Sequence, residues 1–169
     1  MTKHKLFISY YHKDDEKYRN KFEELFGDLF INKSVELGDI DDDLSTDYIK
    51  RLIRENYISD TSVIVVLVGE NTYCRKHVDW EISAGLLNNA GLIGLALPSH
   101  SSYRKDRYSE DDVPKRLVDN IRSNYASFYD WTENQENIIN WIEKAFERRS
   151  TMEENKDNSR KQMKNNRCS

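Results

Sequence analysis

No apolar run in this 169-residue chain approaches the roughly 18 residues of a membrane-spanning helix, so no membrane partner is expected. Cysteine is nearly absent. Cys74 and Cys168 form neither a CxxC pair nor an even-spaced framework, which points to a reducing compartment and to no disulfide. His4, His12, His77 and His100 are scattered at no metal-ligand spacing with the cysteines, so no metal site is expected. Glycine is scarce as well. The six glycines include no Gly-rich phosphate loop and no GxSxG, which removes support for nucleotide triphosphatases and Ser-His-Asp hydrolases. Charge of a single sign is also missing. The 26 basic and 30 acidic side chains are interspersed, without the clustered cationic face of a general nucleic-acid binder, and no such partner is expected.

What remains is a polar but foldable chain. Hydrophobic residues make up 37% and charged residues 33%, and a chain of this length can bury one core without disulfides or metal. The excess polarity gathers at the end. From Ser150 to Ser169 the only apolar side chains are Met152, Met163 and Cys168, too few to offset the entropy of ordering the segment. The expected organisation is therefore one domain over 1–149 and a disordered polar tail over 150–169. The tail holds five Lys/Arg and three Asp/Glu, which leaves the domain near −6 against the chain's −4. The apolar run after Lys5 is too short for a signal peptide, so the chain is expected to be soluble and cytoplasmic.

Short apolar runs alternate with amphipathic stretches, and no internal repeat interrupts them. That alternation builds a parallel sheet covered by helices. Leu6 to Ile8 reads as a first strand, and Tyr18, Phe22, Leu25, Phe26 and Leu29 recur at helical spacing after it. A weak second strand is expected near Ser34 to Leu37, then an acidic loop from Gly38 to Asp43 and a helix capped by Ser45 or Thr46. Asp39 to Asp43 alternate like a calcium loop, but Leu44 stands where glycine is required and Lys50 where the bidentate glutamate belongs. It reads as a solvated loop. Ser62 to Val68 is a continuous β-branched run, the mark of a central strand buried on both faces. A helix from Arg75 to about Asn89, a strand over Leu92 to Leu97, a mobile loop over Pro98 to Asp112, a helix from Pro114 to Ile121, a strand near Ala126 to Tyr129 and a closing helix complete the pattern. The fold class is α/β, flavodoxin-like and three-layered, with about five parallel strands.

Ligands of such sheets bind beyond the carboxyl ends of the strands, which directs attention to Ser9 to Asp14 and Gly69 to Thr72. Glu81 lies one step around from the buried stripe of Val78 and Ile82, with His77 one turn before it and the small Ala84 and Gly85 one turn after. Its carboxylate is expected to border a cleft, although most helical glutamates are simply solvated. Tyr10, Tyr11 and His12 suit stacking on a nicotinamide or adenine ring, or plain packing. Asn71 and Thr72 suit a ribose or phosphate, or helix capping.

The stretch from Thr61-Ser62-Val63 through Val68-Gly69-Glu70-Asn71-Thr72 to Arg75, Val78, Trp80, Glu81 and Ile82, together with Phe7-Ile8-Ser9-Tyr10-Tyr11-His12 and Asp14, resembles the TIR-like domains of bacterial Thoeris antiphage defence. The similarity spans roughly residues 5 to 97. It implies a TIR-like fold in which the helix glutamate, here Glu81, supports cleavage of the nicotinamide–ribose bond of NAD, with Ser9, Tyr10, Tyr11, His12, Asn71, Thr72 and His77 around the substrate. NAD would be substrate rather than cofactor. The ADP-ribose-derived product would signal to an effector protein, and self-association or contact with other TIR domains is implied as well. One departure stands out. Many TIR enzymes carry Trp four residues before the glutamate, where this chain has His77, and Trp80 directly precedes Glu81. The alternative is a TIR-like interaction scaffold without chemistry. A phosphoacceptor receiver domain ranks last, because the strand ends read Ser9-Tyr10-Tyr11 and Val68-Gly69-Glu70 instead of carrying its aspartates.

Overall fold

The computed structural model describes residues 3–32 and 46–168. Its elements run β1 (Lys5–Ser9), α1 (His12–Phe26), β2 (Ile31–Asn32), α2 (Thr46–Leu52) with a π-helical continuation over Ile53–Ile58, β3 (Val63–Val68), a 3₁₀ turn (Thr72–Cys74), α3 (Lys76–Leu87), β4 (Gly91–Ala96), α4 (Lys115–Arg122), β5 (Ser127–Asp130) and α5 (Gln135–Thr151). Among the described residues the sheet has five strands, all parallel, in the order β2-β1-β3-β4-β5. This is the flavodoxin-like order expected from the alternating pattern. The β-branched run of β3 lies at its centre, and every residue of β3 is buried.

Alternate residues feed two cores, as the two-residue period of a strand requires. Leu6, Ile8, Val63, Val65, Leu67, Ile93 and Leu95 pack with Phe22 and Phe26 of α1 and Ile138 and Ile142 of α5. Phe7, Ile64, Val66, Val68 and Leu92 pack on the other face with Ile49, Val78, Ile82 and Leu117. Helix α3 is buried nearly all round, from Val78 to Leu86. It approaches β3 closely because residue 85 is glycine; a Cβ there would meet Ile64 Cγ1 at 2.4 Å. The helix ends where Asn89 turns left-handed, at φ 60°, a conformation that asparagine tolerates.

Three expectations differ from the structure. The second strand appears at Ile31–Asn32, whereas Ser34 to Leu37, the acidic Gly38 to Asp43 loop and Ser45 lie outside the described residues. The segment from Pro98 to Asp112, expected as a mobile loop, is pinned by His100. That ring is buried, accepts the Ser102 N–H at Nδ1 (3.1 Å) and donates from Nε2 to the Asp112 carbonyl (2.9 Å). The third difference is the C-terminal segment. Instead of a disordered tail from 150, α5 continues to Thr151 and residues 157–168 lie along α3 and α4, ending in a disulfide between Cys74 and Cys168. The disulfide corrects the expectation of none. The chain doubles back, so two cysteines 94 residues apart in sequence come to a Cα separation of 5.4 Å. Polar composition argued against burial in a core, and the segment instead lies on the surface of α3 and α4 through hydrogen bonds and the Cys74–Cys168 bond.

Candidate functional site

Residue 81 faces inward because of its place on α3. Val78, Ile82 and Gly85 set the side of the helix that meets the sheet, and Glu81 is turned toward the end of β1. There Ser9, itself fully buried, donates its hydroxyl to Glu81 Oε1 at 2.8 Å. The other oxygen, Oε2, is buried without a hydrogen-bond partner among the described residues. A carboxylate with one satisfied oxygen in an apolar setting favours its neutral form. Burial pushes the Glu81 carboxyl up to about 8, and the Ser9 hydrogen bond opposes only part of that rise.

The structure separates the other candidate residues into groups. Tyr10 and His12 stack at 4.3 Å between ring centroids, and Tyr10 belongs to the core on the α1 side of the sheet, opposite to α3. Tyr11 lies beneath the Arg75 guanidinium, 3.7 Å from its ring centroid, just ahead of α3. Asn71 donates to Asp14 at 2.8 Å. Thr72 is fully buried and accepts the Gly69 N–H at 2.9 Å, so both residues fasten the loop after β3 to α1 and its own turn. His77 stands half-buried one turn before Glu81, tilted against Trp80 at 5.2 Å. Ser9 and Glu81 are thus brought together, while Tyr10, His12, Asn71 and Thr72 gather on the α1 side.

An open cleft of about 390 Å³ does lie at the carboxyl edge of the sheet, lined by Lys13, Asp14, Lys17, Glu70, Asn71 and Ser99. Glu81 does not line it. Asp15, which the sequence analysis did not single out, lines the same cleft. It is 2% exposed, and Gly69 makes room for it: a Cβ at residue 69 would come within 2.4 Å of its carboxylate. Burial, then the charge of Asp14, pushes the Asp15 carboxyl up to about 6. A second buried group was also missed. Arg116 and Asp79, both almost fully buried, pair across α4 and α3 with Nε to Oδ1 at 2.9 Å. The only sequence signal for it was an arginine directly preceding the buried pair Leu117 and Val118. Among the described residues no group of three or more His, Cys, Asp or Glu side chains is placed to hold a metal, and no helix is long and apolar enough to cross a membrane.

The two raised carboxyls fix the sign of the pH dependence. Each binds its proton more tightly in the folded than in the unfolded chain, so their stabilisation is complete below the unfolded values near 4 and is lost as pH rises through about 6 for Asp15 and about 8 for Glu81. Urea denaturation is expected to show stability falling between pH 6 and 8 by up to about 1.4 kcal/mol per pH unit, the slope for one proton. Glu81→Gln removes that upper limb. An unchanged slope in the variant means that another group titrates.

The family model of the Thoeris protein ThsB, TIR-like domain, matches residues 7–102. No curated protein sequence matches the chain. Among solved structures, the TIR domains in the activated Roq1 resistosome, described as directly recognizing the pathogen effector XopQ, align at 13% identity over 86% of this chain and 83% of that one, with a TM-score of 0.42.

Proposed function

Because the chain belongs to the family of the Thoeris protein ThsB TIR-like domain, we propose that it cleaves the nicotinamide–ribose bond of NAD, with Glu81 as the catalytic carboxylate. The observation that carries this reading is the Glu81 carboxyl itself, held by Ser9 through one oxygen while the other, buried, has no hydrogen-bond partner among the described residues. Nature seldom leaves such a group in a core, and perturbed carboxyls concentrate at working sites.

The C–N bond to nicotinamide breaks with its electron pair going to the ring nitrogen, which loses its positive charge, and the ribose carbon gains oxocarbenium character. A carboxylate beside that carbon stabilises the developing cation. Water, or a hydroxyl of the same molecule, then attacks the carbon and gives up a proton, leaving ADP-ribose or a cyclised isomer. Glu81 is neutral below about pH 8 in the closed site, and the cationic nicotinamide ring of NAD is the partner that would draw it into its charged form. Ser9 acts as a positioning residue, holding Oε1 so that Oε2 faces the reacting carbon. Since Glu81 is fully buried, turnover requires an opened state, in keeping with an enzyme that responds to a trigger. In this reading the protein works in the cytoplasm in antiphage defence, associates with other TIR domains, and passes its ADP-ribose-derived product to an effector protein.

One observation favours the scaffold reading: Glu81 does not line the open cleft. The deciding experiment is chromatography of concentrated protein, and of lysate from phage-challenged cells, after incubation with NAD at pH 7 and 8.5. Nicotinamide release is expected, greater at the higher pH. If neither preparation yields nicotinamide or an ADP-ribose derivative while a control TIR enzyme does, the scaffold reading replaces this one.

A further inference from the structure

The segment 157–168 has little of its own to keep it on the protein. It carries one large apolar side chain, Met163, and otherwise Asp, Asn, Ser, Arg, Lys and Gln up to Cys168. Its contacts are hydrogen bonds and one surface ion pair. On α4, Asn120 exchanges two hydrogen bonds with the Asp157 backbone (2.8 and 2.9 Å), Arg116 donates to Asn158 Oδ1 at 2.9 Å, and Arg160 pairs with Asp119. On α3, the Met163 N–H donates to Asp79 Oδ2 at 2.8 Å, the Trp80 indole donates to the Met163 carbonyl at 2.7 Å, and the Arg167 N–H donates to the Cys74 carbonyl at 2.9 Å. Each such bond replaces one to water and nets little, whereas ordering each residue of an extended strap costs conformational entropy. The covalent bond from Cys168 to Cys74 converts strap docking into a local event at high effective concentration.

We propose that Cys74 and Cys168 are a redox-active pair that latches residues 157–168 as a strap along the side of α3 carrying Asp79, Trp80 and Ser83, and that a dithiol reductant releases it. The attack has a preferred direction. Cys74 is fully buried, whereas Cys168 is half-buried, so the incoming thiolate bonds to Cys168 Sγ and the Cys74 sulfur leaves with the electron pair of the broken bond. The departing Cys74 thiolate takes up a proton and then donates it in a hydrogen bond to the Asn71 carbonyl, which already lies 3.1 Å from its sulfur. The second thiol of the reductant displaces Cys168, so one dithiol is oxidised to its disulfide and two protein thiols are formed. A disulfide oxidant such as oxidised glutathione reverses the sequence. Release leaves the Arg116–Asp79 pair across α3 and α4 in place, so the domain keeps its fold while Asp79, Trp80 and Ser83 become accessible.

Hydrogen exchange on the full chain tests this. In protein treated with oxidised glutathione, intact mass after alkylation should show no free thiol, and the Met163 and Arg167 amides should be protected. After dithiothreitol both amides are expected to exchange at least about tenfold faster, with β3 amides unchanged, and Cys168→Ser should show the fast exchange without any reductant. Free thiols persisting in the oxidised sample would overturn the proposal. So would equal protection of those amides in oxidised, reduced and Cys168→Ser protein, because the strap would then hold itself.

Discussion

Glu81→Gln is expected to lower nicotinamide release from NAD by about 10²-fold or more, while stability near pH 4 stays close to that of the parent chain and no longer falls as pH rises from 6 to 8. The two halves of this expectation have one cause. With its carboxyl raised to about 8, Glu81 in the closed site is a neutral acid at pH 7, and Gln is nearly its isostere, able to accept the same Ser9 hydrogen bond. What Gln lacks is access to the negative charge, and that charge matters only when the ribose carbon turns cationic. The loss should therefore fall on kcat more than on KM. Val78→Ala supplies the converse. Val78 is buried on the sheet-facing side of α3, and its truncation is expected to cost about 1 to 3 kcal/mol in urea denaturation while leaving the per-folded-molecule turnover near normal. Full turnover by Glu81→Gln in an active preparation would remove Glu81 from the chemistry, and Glu70, beyond the carboxyl end of β3, would be next to examine.

Arg116→Ala is expected to have the largest effect on stability, about 3 to 5 kcal/mol, because it strands the carboxylate of Asp79 in a site that is 4% exposed. The Met163 N–H still reaches Asp79 Oδ2, but a single amide does not replace the two-point contact of a guanidinium. Against a net stability of roughly 5 to 15 kcal/mol, such a loss leaves a marginal fold. The double variant Arg116→Met with Asp79→Leu should recover most of the deficit, since it removes the charge and its partner together and fills the space with apolar atoms. Should the double variant unfold as readily as the single one, the side chain of Arg116 matters through its packing and its bond to Asn158, not through its charge.

The framework of the sheet was legible because its signals are local. Six consecutive buried residues from Val63 to Val68 can only be a strand covered on both sides, and the alternation of such runs with helical stripes leaves few topologies. Glu81 was legible as a candidate mainly through the resemblance to Thoeris TIR-like domains, since its offset from Val78 and Ile82 alone fits most solvated helical glutamates equally well. Its burial was not, since that depends on Ser9 arriving from a strand 72 residues away in sequence. The same reason hid Asp15, whose depth is set by a glycine at position 69, and Arg116, whose partner belongs to another helix. The C-terminal strap was the hardest to see. Side-chain pattern reports burial in a core, whereas Asp157, Met163 and Arg167 are held through their backbone groups, for which the sequence carries no pattern.

The strand order has a consequence for how the chain reaches this state. Leu6 of β1 registers with Val63 of β3, so among the described residues the first strand made has only Ile31 and Asn32 of β2 as neighbours until the middle of the chain is present. Closing that long loop costs entropy before any ladder bond compensates it, which makes parallel sheets slow to nucleate. During that interval Leu6, Phe7 and Ile8 remain uncovered, a short β-prone segment open to pairing between chains. Fragments that stop short of β3 should therefore collect in inclusion bodies rather than fold.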